Sequence, residues 1–368
     1  MPAIHRILHL APFNTSGVPI TFARAERRLG FDSRLITLAR DPRGYEEDVC
    51  LELPFLDFIG VRWAKKIFSN PARLQVNNQR RETRAKPPTW QPHSRPEKWL
   101  VQFREWWWTP KIQKTLREID FWNFDLYQLE GGLEFYRDGR LVQELQRRGK
   151  QIICLYTGSD LRTRGIVPPI DDCANLRLTL EFDHLDLNPA LTHIFFPFEF
   201  ERFHMRPPAH SEHIIIGHAP TNRLAKGSDL IIAALQSLSA EFKIKIELIE
   251  GLPHAEAIRR KARCDIFIDN LGDLGYGVNA IEALALGVCT CSSLMPHFSE
   301  SYPDHGLVEI TVQNLAEKLR WLCRDPEARA RLGQKGRAWA QANHGAEQVV
   351  HRIHHLLHEK RHAHLVHQ

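Results

Sequence analysis

The chain has 368 residues, 43% hydrophobic and 25% charged, with a formal net charge of +5, an ordinary globular balance that excludes a collagenous or disordered protein and suits two domains. No run approaches the roughly 20 apolar residues of a spanning helix, and the start lacks a signal peptide's apolar core, so the expected placement is cytoplasmic. Seven cysteines without a Cys-x-x-Cys pair fit reduced thiols rather than a disulfide framework.

Arg6 to Leu10 reads as a first buried strand, followed by a loop holding Gly17 and a helix through Phe22 to Leu29 that Gly30 ends. Gly17 is expected to let the backbone approach phosphate, although with Pro19 it also suits a plain turn. Ser33 to Leu38 reads as a second strand. From Arg62 to Lys114, thirteen Lys and Arg stand against three acids, a net of +10, so the remainder sums to about −5. This segment holds Trp63, Trp90, Trp99, Trp106, Trp107 and Trp108, and a helix here would put Trp99, Phe103 and Trp106 on one face. Basic residues beside interfacial aromatics suit an anionic membrane surface or a phosphorylated, lipid-linked acceptor; the alternative is a solvated insertion whose tryptophans cap the first core. Nucleic acid is not expected as a partner, because no recognition module accompanies the charge.

Leu126 to Leu129 and Gln151 to Tyr156 read as further strands, with Val142 to Arg148 in a helix between them. The polar stretch from His204 to Ser211, with Pro207 and Pro208, is the expected linker. The domains are then 1–203, a linker at 204–212, 213–345, and a last helix at 346–368.

The second half alternates strand and helix. His213 to Ala219 is an apolar strand, and Ser228 or Asp229 is placed to cap a helix with Ile231, Ala234, Leu235 and Leu238 on one face. Lys243 to Gly251, Asp265 to Asn270 and Val288 to Ser292 are strands, with a helix from His254 to Arg263, which defines an α/β, parallel, doubly wound sheet. Cys289 and Cys291 share one strand face, as packing residues rather than metal ligands. Gly275, Tyr276 and Gly277 lie at a strand's carboxyl end and open a helix, whose unpaired amides and dipole favour phosphate. Glu282, one turn in, is placed to accept from sugar hydroxyls. Gly-x-Gly without a third glycine is also common as a plain turn. Arg223 and Lys226 flank the preceding strand-to-helix turn, either as anion ligands or as a solvated pair.

In the tail, Val349, Val350, Ile353, Leu356 and Leu357 form an apolar face, and His351, His354, His355, His358 and His362 are expected in solvent rather than on a metal.

Four segments together carry a resemblance: Ile7-Leu8-His9-Leu10 with Asn14-Thr15-Ser16-Gly17-Val18-Pro19; Tyr156-Thr157-Gly158-Ser159-Asp160-Leu161-Arg162; His218 to Gly227; and Asp269 to Gly287. The chain resembles the retaining glycosyltransferases of family 4, in particular the bacterial branch acting on surface polysaccharides and lipopolysaccharide. The resemblance is strong over the second domain and patchy over the first, where residues from about 40 to 120 fall outside it. It implies a GT-B fold: two facing Rossmann-like, doubly wound domains with a cleft between them.

The resemblance also implies roles. Arg223 and Lys226 match the basic pair that neutralises the donor diphosphate, three apart rather than the more usual five. Glu282 matches the second of two glutamates eight apart and would hold the donor ribose. The first falls on Leu274, leaving the adjacent Asp273 as a substitute carboxylate or the sugar to backbone amides. Thr157 stands where many relatives carry histidine, while Gly158 and Asp160 are retained. The catalytic set is thus Arg223, Lys226, Asp273 and Asp160; the donor-binding set is Gly17, Thr157, Gly158, Gly275, Tyr276, Gly277 and Glu282.

No metal or other cofactor is expected: there is no Asp-x-Asp pair, and fixed cations with helix-start amides suffice for the charge growing on a leaving nucleoside diphosphate. The expected activity is metal-independent transfer of a hexose-type unit, with retention, from a nucleotide diphosphate sugar to a glycan or lipid-linked acceptor, with peripheral contact at the inner membrane face. Two alternatives stay open. One is a catalytically silent nucleotide-sugar-binding protein, favoured by Leu274 and Thr157; the other is a sugar-nucleotide epimerase or dehydrogenase, disfavoured by the incomplete glycine fingerprint.

Overall fold

The computed structural model describes residues 4–42, 44–54, 56, 88–92, 94–158, 160–205, 212–272 and 275–366, with side chains as far as 360. Asp273, Leu274, Ser159, Trp63, Pro207, Pro208 and His362, named above, lie outside that description. The chain forms two compact units, one of Met1–Pro197 with Ala346–Gln368 and one of Phe198–Gly345.

The first unit runs β1 (Arg6–Ala11), α1 (Val18–Arg28), β2 (Asp32–Thr37), β3 (Val49–Cys50), α2 (Arg95–Glu118), β4 (Leu126–Glu130), α3 (Arg140–Arg147), β5 (Gln151–Tyr156), β6 (Leu176–Thr179) and β7 (Thr192–His193). Among the described residues its sheet is seven-stranded and parallel, in the order β3-β2-β1-β4-β5-β6-β7. The central strands β1, β4 and β5 are buried almost throughout because both faces are covered, and the polar residues they carry, His9, Gln128 and Glu130, are buried with them. Successive side chains of β1 divide between two cores. Leu8 and Leu10 join Trp108, Ile112 and Leu116 of α2 on one face, while Ile7 joins Val18, Phe22 and Ala25 of α1 on the other.

Helix α1 stops where the sequence places Gly30. The Phe31 amide bonds the Glu26 carbonyl and the Gly30 amide the Arg27 carbonyl, each at 3.0 Å, with Gly30 at φ +92°, a left-handed cap that a side chain would strain. Helix α2 opens on Ser94, whose hydroxyl accepts from the Glu97 amide at 3.3 Å, with Pro96 in its first turn. The tryptophans part company along it: Trp108 is core, whereas Trp99 and Trp106 are 74% and 68% exposed beside exposed Leu100, Phe103 and Trp107.

The second unit runs β8 (Ile214–His218), a single turn at Arg223–Lys226, α4 (Ser228–Leu238), β9 (Ile244–Leu248), α5 (His254–Lys261), β10 (Ile266–Ile268), α6 (Val278–Ala285), β11 (Cys289–Ser292), β12 (Val308–Glu309), α7 (Leu315–Arg324) and α8 (Pro326–His344). Among the described residues its five strands are parallel, in the order β12-β11-β10-β8-β9. Cys289 and Cys291 are core residues here, packed with Ile216, Ile266 and Leu319. The expected cap of α4 is corrected. Gly227 occupies that position, and the Ser228 hydroxyl is instead 2.8 Å from His218 Nε2.

The last helix, α9 (Ala346–Val366), belongs to the first unit. Val349, Val350, Ile353, Leu356 and Leu357 join the core over α1, and His351, His355 and His358 are exposed. The fourth histidine within the description behaves differently, since the His354 ring lies 4.7 Å from that of Phe31. Among the described residues no helix is long and apolar enough to cross a membrane.

Each sheet has a switch point, where the chain moves outward on one side and then restarts on the other: between β1 and β4 in the first unit, and between β8 and β10 in the second. Ligands of doubly wound sheets bind at the carboxyl ends of strands flanking that point.

Candidate functional site

At the second unit's switch point, the loops after β8 and β10 bring together residues 43 positions apart. Asn222 opens the single turn, its side chain accepting from the Ala225 amide at 3.1 Å. That turn sends the Lys226 ammonium to Asp269, immediately after β10, at 2.9 Å. Asp269 is fully buried, and its other oxygen accepts from the Gly277 amide at 2.8 Å and from Asn270 Nδ2 at 3.1 Å. Asn270 Nδ2 also donates to the Gly275 carbonyl at 2.6 Å, which fixes the glycine turn against the strand end. A Cβ on Gly277 would stand 3.7 Å from Lys226 Nζ, so its absence leaves the ammonium open space beside the amide. One carboxylate thus ties a cation to the start of α6, and of the ammonium's three N–H groups, donors of the kind a phosphate takes, it uses one.

His218, the last residue of β8, is buried. Its Nδ1 is 2.8 Å from the Ile268 carbonyl and its Nε2 2.8 Å from the Ser228 hydroxyl. Burial keeps its pKa below the ordinary value, so the neutral ring donates to the carbonyl and accepts from the hydroxyl, tying both loops' supports together.

Arg223 turns elsewhere, forking onto Glu250 at 2.8 and 2.5 Å on an exposed flank beyond β9. Tyr276 is built into an aromatic cluster. Its hydroxyl is 2.9 Å from His344 Nε2, and its ring meets those of Phe298 and Trp339 edge-on.

Glu282 lies on α6, 5% exposed, with both oxygens engaged. His254 Nε2 is 2.7 Å from Oε1, and the ammonium of Lys261, itself 1% exposed, pairs with Oε2. Lys261 also donates to Asn279 Oδ1 at 2.5 Å, and Asn279 Nδ2 to the Ala219 carbonyl at 2.9 Å, which links Glu282 to the loop after β8. Burial alone would raise the Glu282 carboxyl, but the His254 hydrogen bond and the Lys261 charge hold it below the usual range. The Glu282 hydrogen bond, against burial, raises His254. Sequence reasoning missed Lys261, His254, Asp269 and His218. The available signals were a polar Asp-Asn pair directly after an apolar strand and a histidine ending another.

In the first unit, Thr157, Gly158 and Asp160 form one turn after β5. Asp160 accepts from the Thr157 hydroxyl at 3.1 Å, and the Gly158 carbonyl accepts from Arg162 Nη1 at 2.8 Å and lies 3.0 Å from His184 Nε2. Gly17 caps α1 after β1, where the Tyr45 ring lies 3.2 Å from the position of a Cβ.

Two parallel-sheet, Rossmann-like units define the GT-B fold class. Residues 212–339, within the second unit, match the model of the family Glycosyl transferases group 1. In structure the chain is similar to sucrose-phosphate synthase from Thermosynechococcus elongatus, at 12% identity and a TM-score of 0.61 over 98% of this chain and 100% of that one. A glycosyltransferase from Rickettsia africae ESF-5 gives 12% and 0.57, over 98% and 99%. HepE of Anabaena, solved in complex with UDP, gives 11% and 0.55, over 96% and 100%. At these identities the likeness is one of fold. No curated protein matches the chain in sequence.

Proposed function

We propose that the protein is a glycosyltransferase that moves a hexose-type unit, with retention, from a nucleoside diphosphate sugar to a glycan or lipid-linked acceptor in cell-surface polysaccharide synthesis. The observation that carries this reading is the Lys226–Asp269–Gly277 arrangement at the switch point. A donor diphosphate placed there meets the ammonium and the positive dipole end of α6, and Arg223, nearby in sequence, reaches it by leaving Glu250. Glu282, held ionised by Lys261, accepts from the ribose hydroxyls. Because HepE was solved with UDP, uridine donors head the candidates.

In this reading the bond between the sugar's anomeric carbon and the phosphate oxygen breaks while the acceptor hydroxyl bonds the same face. Its proton passes to the leaving phosphate. Lys226 and Arg223 stabilise the growing charge, worth roughly 3–4 kcal/mol for a well-placed donor, and no metal takes part. Asp160, Thr157 and Gly158 serve the transferred sugar, and Asp273 supplies a further carboxylate. The protein works in the cytoplasm, and the exposed Trp99, Phe103, Trp106 and Trp107 of α2 rest on the inner membrane face.

The test is a thermal-shift screen against UDP, GDP, ADP, dTDP, CMP and their sugars with EDTA present, followed by NMR of the product anomer. A shift of several degrees with one diphosphate and an anomer matching the donor supports the reading. Binding without turnover favours the catalytically silent alternative. An altered sugar nucleotide formed without acceptor favours the epimerase.

A further inference from the structure

The first unit gathers positive charge that its own structure does not satisfy. Arg137, in the loop between β4 and α3, gives its amide to Glu105 Oε1 at 2.8 Å and holds its guanidinium 5.4 Å over the Trp90 ring. Its Nη1 is closed off from solvent with no hydrogen-bond partner among the described residues. Arg104, on α2, lies 4.4 Å over the Trp108 ring with Nη2 3.8 Å from Glu105, and its Nε is likewise buried and unpartnered. Arg164, in the turn after β5, donates to the Gly131 carbonyl and, at 3.2 Å, to that of Gly165. A Cβ on Gly131 would meet Asp160 Oδ2 at 2.9 Å and Arg164 Nη1 at 3.5 Å, so the glycine after β4 is what lets this turn close in.

Arg137 feels the charge of both other guanidiniums. Burial first, then the charges of Arg164 and Arg104, push Arg137 down to about 9. Glu105 and Asp160 oppose them. Glu134, beside Glu105, is pushed well up by burial, and its buried Oε2 likewise has no hydrogen-bond partner among the described residues. Three cations against two anions leave an excess charge, with two orphaned donors, at the carboxyl ends of β4 and β5. Buried N–H groups are rarely left unpaired, and a native cluster that keeps two of them lacks an acceptor. An anion with several oxygens in tetrahedral array suits several guanidinium forks better than one planar carboxylate does.

We propose that Arg104, Arg137 and Arg164 form a binding site for a phosphate-class anion in the first unit. The site uses none of the residues assigned to the donor diphosphate and does not rest on the glycosyl-transfer reading. Its occupant is free phosphate or the phosphate of a phosphorylated sugar.

The test is thermal shift on the full chain at matched ionic strength, with inorganic phosphate, glucose 1-phosphate and UDP as probes, comparing wild type with Arg137→Met. Phosphate should raise the wild-type Tm saturably by a few degrees and leave Arg137→Met unmoved, while both proteins answer alike to UDP. Without any anion, Arg137→Met should melt at or above the wild-type temperature, because it deletes an orphaned buried donor. A phosphate response that survives the substitution, no response in wild type, or an anion-free Tm several degrees lower in Arg137→Met would each overturn the proposal. A larger shift with glucose 1-phosphate than with phosphate identifies a sugar phosphate as occupant, and equal shifts identify the free anion. If UDP moves neither protein, the donor-site reading fails while the phosphate comparison still stands.

Discussion

The Lys226 ammonium lies 2.9 Å from a carboxylate oxygen of Asp269 that is wholly shut off from water. Removing the cation leaves that anion with only neutral donors. Lys226→Met should lower stability by roughly 1.5–3 kcal/mol, the range for a hydrogen bond to a charged group. It should also raise the donor Kd at least tenfold, about 1.4 kcal/mol. Adding Asp269→Asn should recover stability without recovering affinity. Urea unfolding and nucleotide titration of the three proteins read this, and unchanged donor affinity in Lys226→Met would remove the lysine from the site. Arg223→Ala, on an exposed pair, should leave Tm unchanged and depress kcat.

Glu282 and Lys261 are both buried and, among the described residues, neither has a second partner of opposite charge as close, apart from the exposed His254. Glu282→Leu strands the lysine and should destabilise by roughly 3–5 kcal/mol. Glu282→Leu with Lys261→Met should regain most of that loss yet still bind donor weakly. A double-mutant cycle by chemical denaturation measures the coupling, and additive effects would show that the two groups do not form a buried pair.

His9, fully buried on β1, has Nε2 2.7 Å from Glu26 and Nδ1 3.8 Å from Glu130. Burial lowers its pKa, but Glu26 and then Glu130 outweigh it and bring the ring to about 9. The sign follows from linkage: a group raised in the folded state contributes stability that is complete below its unfolded pKa of about 6.5 and is lost as pH rises through about 9. Wild type should therefore lose on the order of 3 kcal/mol across that window, from about 1.36 kcal/mol per unit. His9→Gln should lack that share of the loss, so the stability difference between the two proteins should change across the window, on top of the loss from the buried cysteines that both share. Unfolding at half-unit pH steps from 6 to 10 provides the check, and parallel curves would contradict it.

Trp106 and Trp107 face solvent on α2, so changing both to serine removes little packing. Stability should stay within about 0.5 kcal/mol per site. Binding to anionic phospholipid vesicles should fall at least fivefold, and the wild-type binding should weaken as salt rises. Equal vesicle sedimentation by the two proteins would remove α2 as the contact surface.

The strands that pair in the sheet centres were largely legible, since their apolar runs are interrupted by turn residues at each end. β1, β5 and β11 lie within a residue of the expected spans. Edge strands such as β3, β7 and β12 are two residues long and carry no period to read. Helix α2 was hidden as a continuous element by Pro110 and by tryptophans on more than one face. The glycine turn and Glu282 could be picked out because both lie in one local motif. The cap of α4 could not, because Ser228 had a competing partner in His218, ten residues away.

Sequence alone determined the doubly wound architecture, because burying a periodic apolar face is a property of neighbouring residues and survives without knowledge of the partner surface. Tertiary structure alone decided which charges meet. Lys226 finds Asp269 43 positions away, Lys261 finds Glu282 21 away, and Arg137 is brought toward Arg164 with no acceptor for its Nη1 among the described residues. Desolvation and Coulomb energy depend on distance and burial in space, and the order of residues along the chain encodes neither.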